Sequence, residues 1–199
     1  MHYDFVEIGT SDFDTEIEKA NENDRGISID PILYYLNRLP YKQNVFKILC
    51  GISNENTWGK CYFLTEENIR KYNLPSWVRG CNSLYSYHPT VIKLLNNLNI
   101  DPNLIYSNVE IPIYSISTLF KMYQISSLQY LKIDTEGHDS IILDDYIRWV
   151  KQGNTIARKI KFETNILTND SVIADTIQKL IDIGYRVIYN NENTLVQYD

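Results

Sequence analysis

The sequence predicts an α/β fold, a mostly parallel sheet with helices on both faces, closed by an antiparallel hairpin. Three observations carry this. Residues 3–53 alternate short apolar runs with helical stretches at close spacing, the pattern of parallel strands joined by crossover helices. Residues 128–183 repeat that alternation. Residues 185–198 then read as two strands around Asn190-Asn191-Glu192-Asn193, a hairpin turn.

The elements follow in order. YDFVEI (3–8) is a short buried strand, GTSDFDT a polar turn and TEIEKAN (15–21) a first helix. Residues 26–30 form a second strand, and a helix runs from Pro31 to Leu39 with proline at its first position. VFKILCGIS (45–53) reads as one third strand. Residues 54–88 carry no clear period beyond a candidate strand at KCYFL, and read as an acceptor-binding or lid insertion. A helix from His88-Pro89 to Asn97 follows, then a strand at 109–115 and a helix capped by Ser115 or Ser117. Strand 128–134, helix 138–150 and strand 156–164 come next. The helix over 170–183 shows an apolar stripe at Val172, Ile173, Ile177, Leu180 and Ile181, and Gly184 ends it. No repeat and no linker interrupts the chain, so 1–199 reads as a single domain.

Composition excludes several function classes. Hydrophobic residues make up 44% and charged residues 22%, ordinary globular values. No apolar run reaches the roughly 20 residues of a membrane span. The N-terminus has neither a basic n-region nor an apolar h-region, so a cytoplasmic protein is expected. The net charge of −6 disfavours nucleic acid, whose binders carry a basic stripe. Cys50, Cys61 and Cys81 form no Cys-x-x-Cys pair and read as reduced thiols. No histidine stands at zinc-ligand spacing to them, so no zinc site is expected.

Ligands of open α/β sheets bind beyond the carboxyl ends of the strands, and three strand ends here carry telling residues. The first gives Glu7-Ile8-Gly9-Thr10-Ser11, where Gly9 lets the backbone approach a ligand and Glu7 offers an acceptor to an ammonium group. The second ends in Asp30, about 20 residues after Gly9, the spacing for a carboxylate that takes a ribose. Asp before Pro is also a common helix cap. The third ends in Gly51-Ile52-Ser53, small and polar beside an adenine edge. Together they favour an adenosine-containing ligand. NAD would need Gly-x-Gly-x-x-Gly, and this loop has only Gly9.

The fourth parallel strand ends in Asp134-Thr135-Glu136-Gly137-His138. Capping of the next helix explains one acid there. A carboxylate–x–carboxylate–Gly–His cluster fits better with general acid–base work, with His138 titrating in the useful range.

KIDTEGHD (132–139), with VEIGT (6–10), Ile29-Asp30-Pro31 and Lys161-Phe162-Glu163, resembles the FkbM-type methyltransferase family over nearly the whole chain. That resemblance implies a class I, Rossmann-like methyltransferase fold with a seven-stranded sheet. It implies S-adenosylmethionine as methyl donor and a sugar, glycan or other small-molecule hydroxyl as acceptor. By position, Glu7, Gly9, Thr10, Ser11, Asp30 and Ser53 would hold the donor, and Asp134, Glu136 and His138 would stand at the reacting end. Phe13 replaces the second glycine frequent in the family's first motif, which narrows the expected donor loop.

Other residues have two readings each. Arg79, Asn82 and Ser83 form either an acceptor-binding loop or an ordinary turn. His88 is read as a helix cap ahead of a second catalytic histidine. Trp58, Trp77 and Tyr85 are read as packing ahead of stacking on a ligand. Asp134, Glu136 and Glu163 offer oxygen ligands to Mg²⁺, a less favoured option. Two rival functions stand beside methylation of a small molecule. One is an RNA ribose methyltransferase built on Lys132, Asp134, Lys161 and Glu163. The other is a non-catalytic binding module. The pattern implies no membrane contact and no particular oligomer.

Overall fold

The computed structural model describes residues 1–198. Seven strands form one mixed sheet: β1 (His2–Ile8), β2 (Gly26–Asp30), β3 (Val45–Leu49), β8 (Ser127–Ile133), β9 (Ala157–Glu163), β10 (Tyr185–Asn190) and β11 (Asn193–Tyr198). Their order is β10-β11-β9-β8-β1-β2-β3. From β3 to β9 neighbouring strands are parallel, while β11 runs antiparallel to both β9 and β10. The expected hairpin is therefore present, and it supplies the mixed character of the sheet.

The parallel strands read as near-continuous apolar runs because helices cover both faces. On one face α1 (Glu16–Lys19) and α2 (Leu33–Arg38) bury Ile17 and Leu36 with Phe5. On the other, α6 (Ile116–Met122) and α7 (Asp139–Lys151) bury Leu119, Phe120, Ile142 and Tyr146 against Val6, Ile8 and Leu131. Helix α8 (Asp170–Asp182) adds Leu180 to the same core, and Asn169 caps its start by accepting from the Ser171 N–H. Ser115, not Ser117, caps α6 by accepting from the Thr118 N–H.

The stretch read as one strand over 45–53 breaks at Cys50. β3 stays on the large sheet, while β4 (Gly51–Ser53) leaves it for a second, four-stranded sheet. That sheet runs β4-β7-β5-β6, with β5 (Thr57–Leu64), β6 (Ser83–Leu84) and β7 (Tyr106–Ser115). Residues 54–88 are thus more regular than their sequence pattern suggests. They contain β5, β6, α3 (Glu66–Lys71) and a 3₁₀ turn at Ser76–Arg79. With α4 (Pro89–Asn97) and α5 (Pro102–Ile105) they enclose a core of their own, made by Leu64, Ile69, Val78, Val91, Leu95 and Ile105. The strand expected at 109–115 is longer, starting at Tyr106. Among the described residues no helix is long and apolar enough to cross a membrane. The three cysteines are free and buried.

Candidate functional site

A cleft of about 270 Å³ opens at the carboxyl ends of β1, β2 and β8, with residues 80–84 as its opposite wall. In the strand order the chain turns from the β1–β3 side to the β8–β11 side between β1 and β8, which is where open α/β sheets bind ligands. Gly9 stands at φ +80, and its Cβ position lies 1.8 Å from the Asp134 carbonyl oxygen. Only glycine lets the β1 and β8 loops meet there.

Of the residues expected at a site, Gly9, Thr10, Ser11, Asp30, Asn82, Asp134 and Glu136 share this wall, and Glu163 joins them. Asp30 is buried at the end of β2. Its Oδ2 accepts from the Ser11 N–H at 2.8 Å and its Oδ1 from the Ile32 N–H at 2.7 Å. Asp30 does not cap α2, whose N-cap is Ile32 with no side-chain cap bond; it fixes the turn before that helix, and each carboxylate oxygen still has a lone pair to offer. Burial raises its carboxyl to about 7.

Three residues that line the cleft each carry a buried side-chain atom without a hydrogen-bond partner among the described residues: Ser11 Oγ, Asn82 Oδ1 and Glu163 Oε2. Buried polar atoms are satisfied as a rule, so such a cluster asks for a ligand. Glu163 ends β9, and its Oε1 accepts from the Asn165 side chain. Burial first, then the carboxylates of Glu136, Asp139 and Asp134, push Glu163 up to about 9. At neutral pH it carries a proton. Burial also raises Asp134.

A carboxyl raised in the folded state binds more protons there than in the unfolded chain, so stability falls as pH rises between the two pKa values. For Glu163 that window runs from its usual 4.5 to about 9. Chemical unfolding of the wild type is expected to show stability declining between pH 7 and 9, with a limiting slope of about 1.4 kcal/mol per pH unit. Glu163→Gln keeps the acceptor for Asn165 and removes this slope. Parallel pH profiles for the two proteins would refute the protonated Glu163.

Other expected site residues stand off the cleft wall. Glu7 is fully buried on the α1 side of the sheet. It receives Lys132 Nζ at 3.0 Å and the Glu16 N–H at both oxygens. It anchors the β1 loop and faces away from a donor. Burial pushes its carboxyl up to about 7 against the pull of Lys132. The same pairing takes Lys132 out of the tetrad that the RNA reading needs. Ser53 and His138 hold one another, Oγ to Nε2 at 2.9 Å, outside the wall. Burial lowers the His138 pKa. Arg79 is paired with Asp12 and Glu66, and Ser83 lies in β6 opposite Tyr62. His88 precedes α4 but makes no side-chain cap; it bonds Glu136 Oε2 at 3.0 Å.

Phe13 does line the cleft, half exposed, with the Arg79 guanidinium 5.6 Å from its ring centre. A Cβ on Gly80 would come within 2.9 Å of its Cζ. Gly80 is small where Phe13 is large, and the cleft stays open.

Sequence reasoning missed Asp139 and Asp12. Asp139 is fully buried and accepts from the Thr135 N–H at 3.0 Å, the Thr135 hydroxyl and the Glu163 N–H at 2.9 Å. It clamps the β8 loop to the end of β9, and burial raises its carboxyl to about 6. Asp12 receives Arg38 and Arg79 and ties the β1 loop to α2 and to the 3₁₀ turn. Both lay inside motifs already marked as polar, so their identity was visible and their partners were not. No family model, characterised protein or solved structure matches the chain.

Proposed function

We propose that the protein is an S-adenosylmethionine-dependent O-methyltransferase acting on a hydroxyl of a sugar, glycan or other small molecule. The observation that carries this reading is the cleft at the sheet's reversal point, walled by Gly9, Asp30 and Asp134 and lined by three residues that each carry an uncommitted buried polar atom. The strand order, with its antiparallel β11, agrees with the class I methyltransferase fold that the FkbM-type resemblance implies.

The residues fit the donor by their chemistry. Asp30 offers lone pairs to ribose hydroxyls beside a glycine turn. The Ser11 hydroxyl and the Asn82 amide supply unspent polar atoms for the adenosine and amino-acid ends. The donor has no pyrophosphate, so one glycine suffices where a dinucleotide needs a richer loop. When bound it supplies a methyl group on a positively charged sulfur.

Asp134 and Glu136 bring negative charge to that end of the cleft. The bound donor would supply its methyl group to an acceptor hydroxyl held beside these carboxylates. The hydroxyl proton passes to the Asp134 carboxylate. Desolvation has already moved Asp134 toward the range of a useful base. His138 acts through Ser53 to hold the β8 loop.

Donor binding tests the reading before any acceptor is known. Asp30→Asn keeps one carbonyl acceptor and loses the charge. It is expected to weaken S-adenosylmethionine binding at least tenfold, about 1.4 kcal/mol, and to lower stability by about 1–3 kcal/mol, because its NH2 group meets the Ser11 or the Ile32 N–H. Equal affinity in the two proteins would remove Asp30 from the donor site.

A further inference from the structure

Cys81, His88 and Glu136 come from three separate places in the chain. Cys81 follows the 3₁₀ turn, His88 precedes α4, and Glu136 sits in the loop after β8. Folding brings one ligand-type atom of each within 4.8 Å of the others. His88 is 2% exposed and Cys81 9%. The expectation that no histidine could join a cysteine at a metal rested on sequence spacing, and the fold removes that objection.

The His88–Glu136 hydrogen bond satisfies Nε2 and leaves Nδ1 buried with no partner among the described residues. A plain buried His–Glu pair therefore explains half of this imidazole. Glu136 adds a second oddity: it is a non-glycine residue held at φ +54. Backbone strain of this kind persists where the surroundings enforce it, often at functional sites. A nucleophilic role for Cys81 fits poorly, because its sulfur is buried and directed at the Trp77 carbonyl at 3.7 Å.

We propose that Cys81, His88 and Glu136 form a binding site for a zinc-type divalent transition-metal ion. The donor set decides the class of ion. Magnesium and calcium take oxygen ligands, whereas a thiolate with an imidazole selects zinc or its neighbours. Three protein ligands leave a fourth position open. Glu136 also lines the cleft, so the ion sits at the cleft's edge. Binding replaces the Cys81 thiol proton, which leaves to solvent, and gives the ion one imidazole nitrogen of His88 and one carboxylate oxygen of Glu136. The ion ties residues 81–88 to the loop after β8 and shares Glu136 with the methyl-transfer reading.

The test is cobalt(II) titration of the intact, chelator-treated protein under reducing conditions. One equivalent is expected to produce a thiolate-to-cobalt charge-transfer band and tetrahedral visible bands, both erased by zinc. Cys81→Ser loses the charge-transfer band, while Cys50→Ser keeps it. His88→Asn, checked for folding by circular dichroism, binds cobalt at least tenfold more weakly and covers the case in which Cys81→Ser fails to fold. Absence of a thiolate band in the wild type, or its persistence in folded Cys81→Ser, overturns the site. Because the readout needs no methyl donor, its failure is separate from failure to bind S-adenosylmethionine.

Discussion

Gly9→Ala is expected to destabilise the protein by about 3 kcal/mol or more, the range of a buried steric conflict. The added Cβ meets the Asp134 carbonyl oxygen at 1.8 Å, and that atom is backbone. The two loops at the carboxyl ends of β1 and β8 must then separate, and the cleft between them changes shape. Gly153 is the natural control. It has the same φ of +80, but nothing lies within 4 Å of its Cβ position. Gly153→Ala therefore carries only the left-handed backbone penalty, about 1–2 kcal/mol. Urea unfolding of both variants isolates the steric part. Equal losses would mean that the close approach of the two loops is not what Gly9 provides.

Lys132→Met is the second large effect. It leaves the Glu7 carboxylate fully buried with only the Glu16 N–H for company. Removing one partner of a buried pair costs about 3–5 kcal/mol, because the other charge stays uncompensated. The loss has a pH signature. Without Lys132 the Glu7 carboxyl rises above the present value of about 7. The folded state then holds a proton that the unfolded chain releases, so the variant is least stable at high pH. Adding Glu7→Leu removes the stranded charge and is expected to recover part of the loss. A double-mutant cycle by chemical unfolding measures the coupling. A cost under about 1 kcal/mol for Lys132→Met would contradict the buried pair as described.

The large sheet was legible because its signals are local. Parallel strands covered on both faces are continuous apolar runs, and the caps at Ser115 and Gly184 lie at the helix ends they control. The four-stranded sheet was legible only in pieces, as strand stretches at KCYFL and 109–115 whose pairing did not show. Its strand β5, TWGKCYFL, leaves Trp58 and Lys60 exposed while burying Cys61, so composition alone gives a mixed signal. Its longest pairing, β5 with β7, joins residues about 50 positions apart, and register of that kind does not appear in a single sequence. The break at Cys50 was hidden for the same reason. Either side of it is strand, and only the partner changes.

The candidate site divides along similar lines. Gly9, Ser11, Asp30, Asp134 and Glu136 could be named because strand ends gather at one edge of an α/β sheet. Which way a side chain points from that edge depends on register. Glu7 lies opposite Lys132 across the β1–β8 pairing, and so faces α1 and not the cleft. His138 is the residue just before α7 and meets Ser53. The Cys81–His88–Glu136 group needed the second sheet and its helices before its members could meet.

Calorimetric titration of the wild-type protein with S-adenosylmethionine, beside NAD as a comparison, asks directly whether the cleft beyond β1, β2 and β8 takes an adenosine-bearing methyl donor. One site per chain with micromolar affinity for S-adenosylmethionine and none for NAD is expected. A folded protein that gives no S-adenosylmethionine binding, or that prefers NAD, would contradict that reading of the cleft.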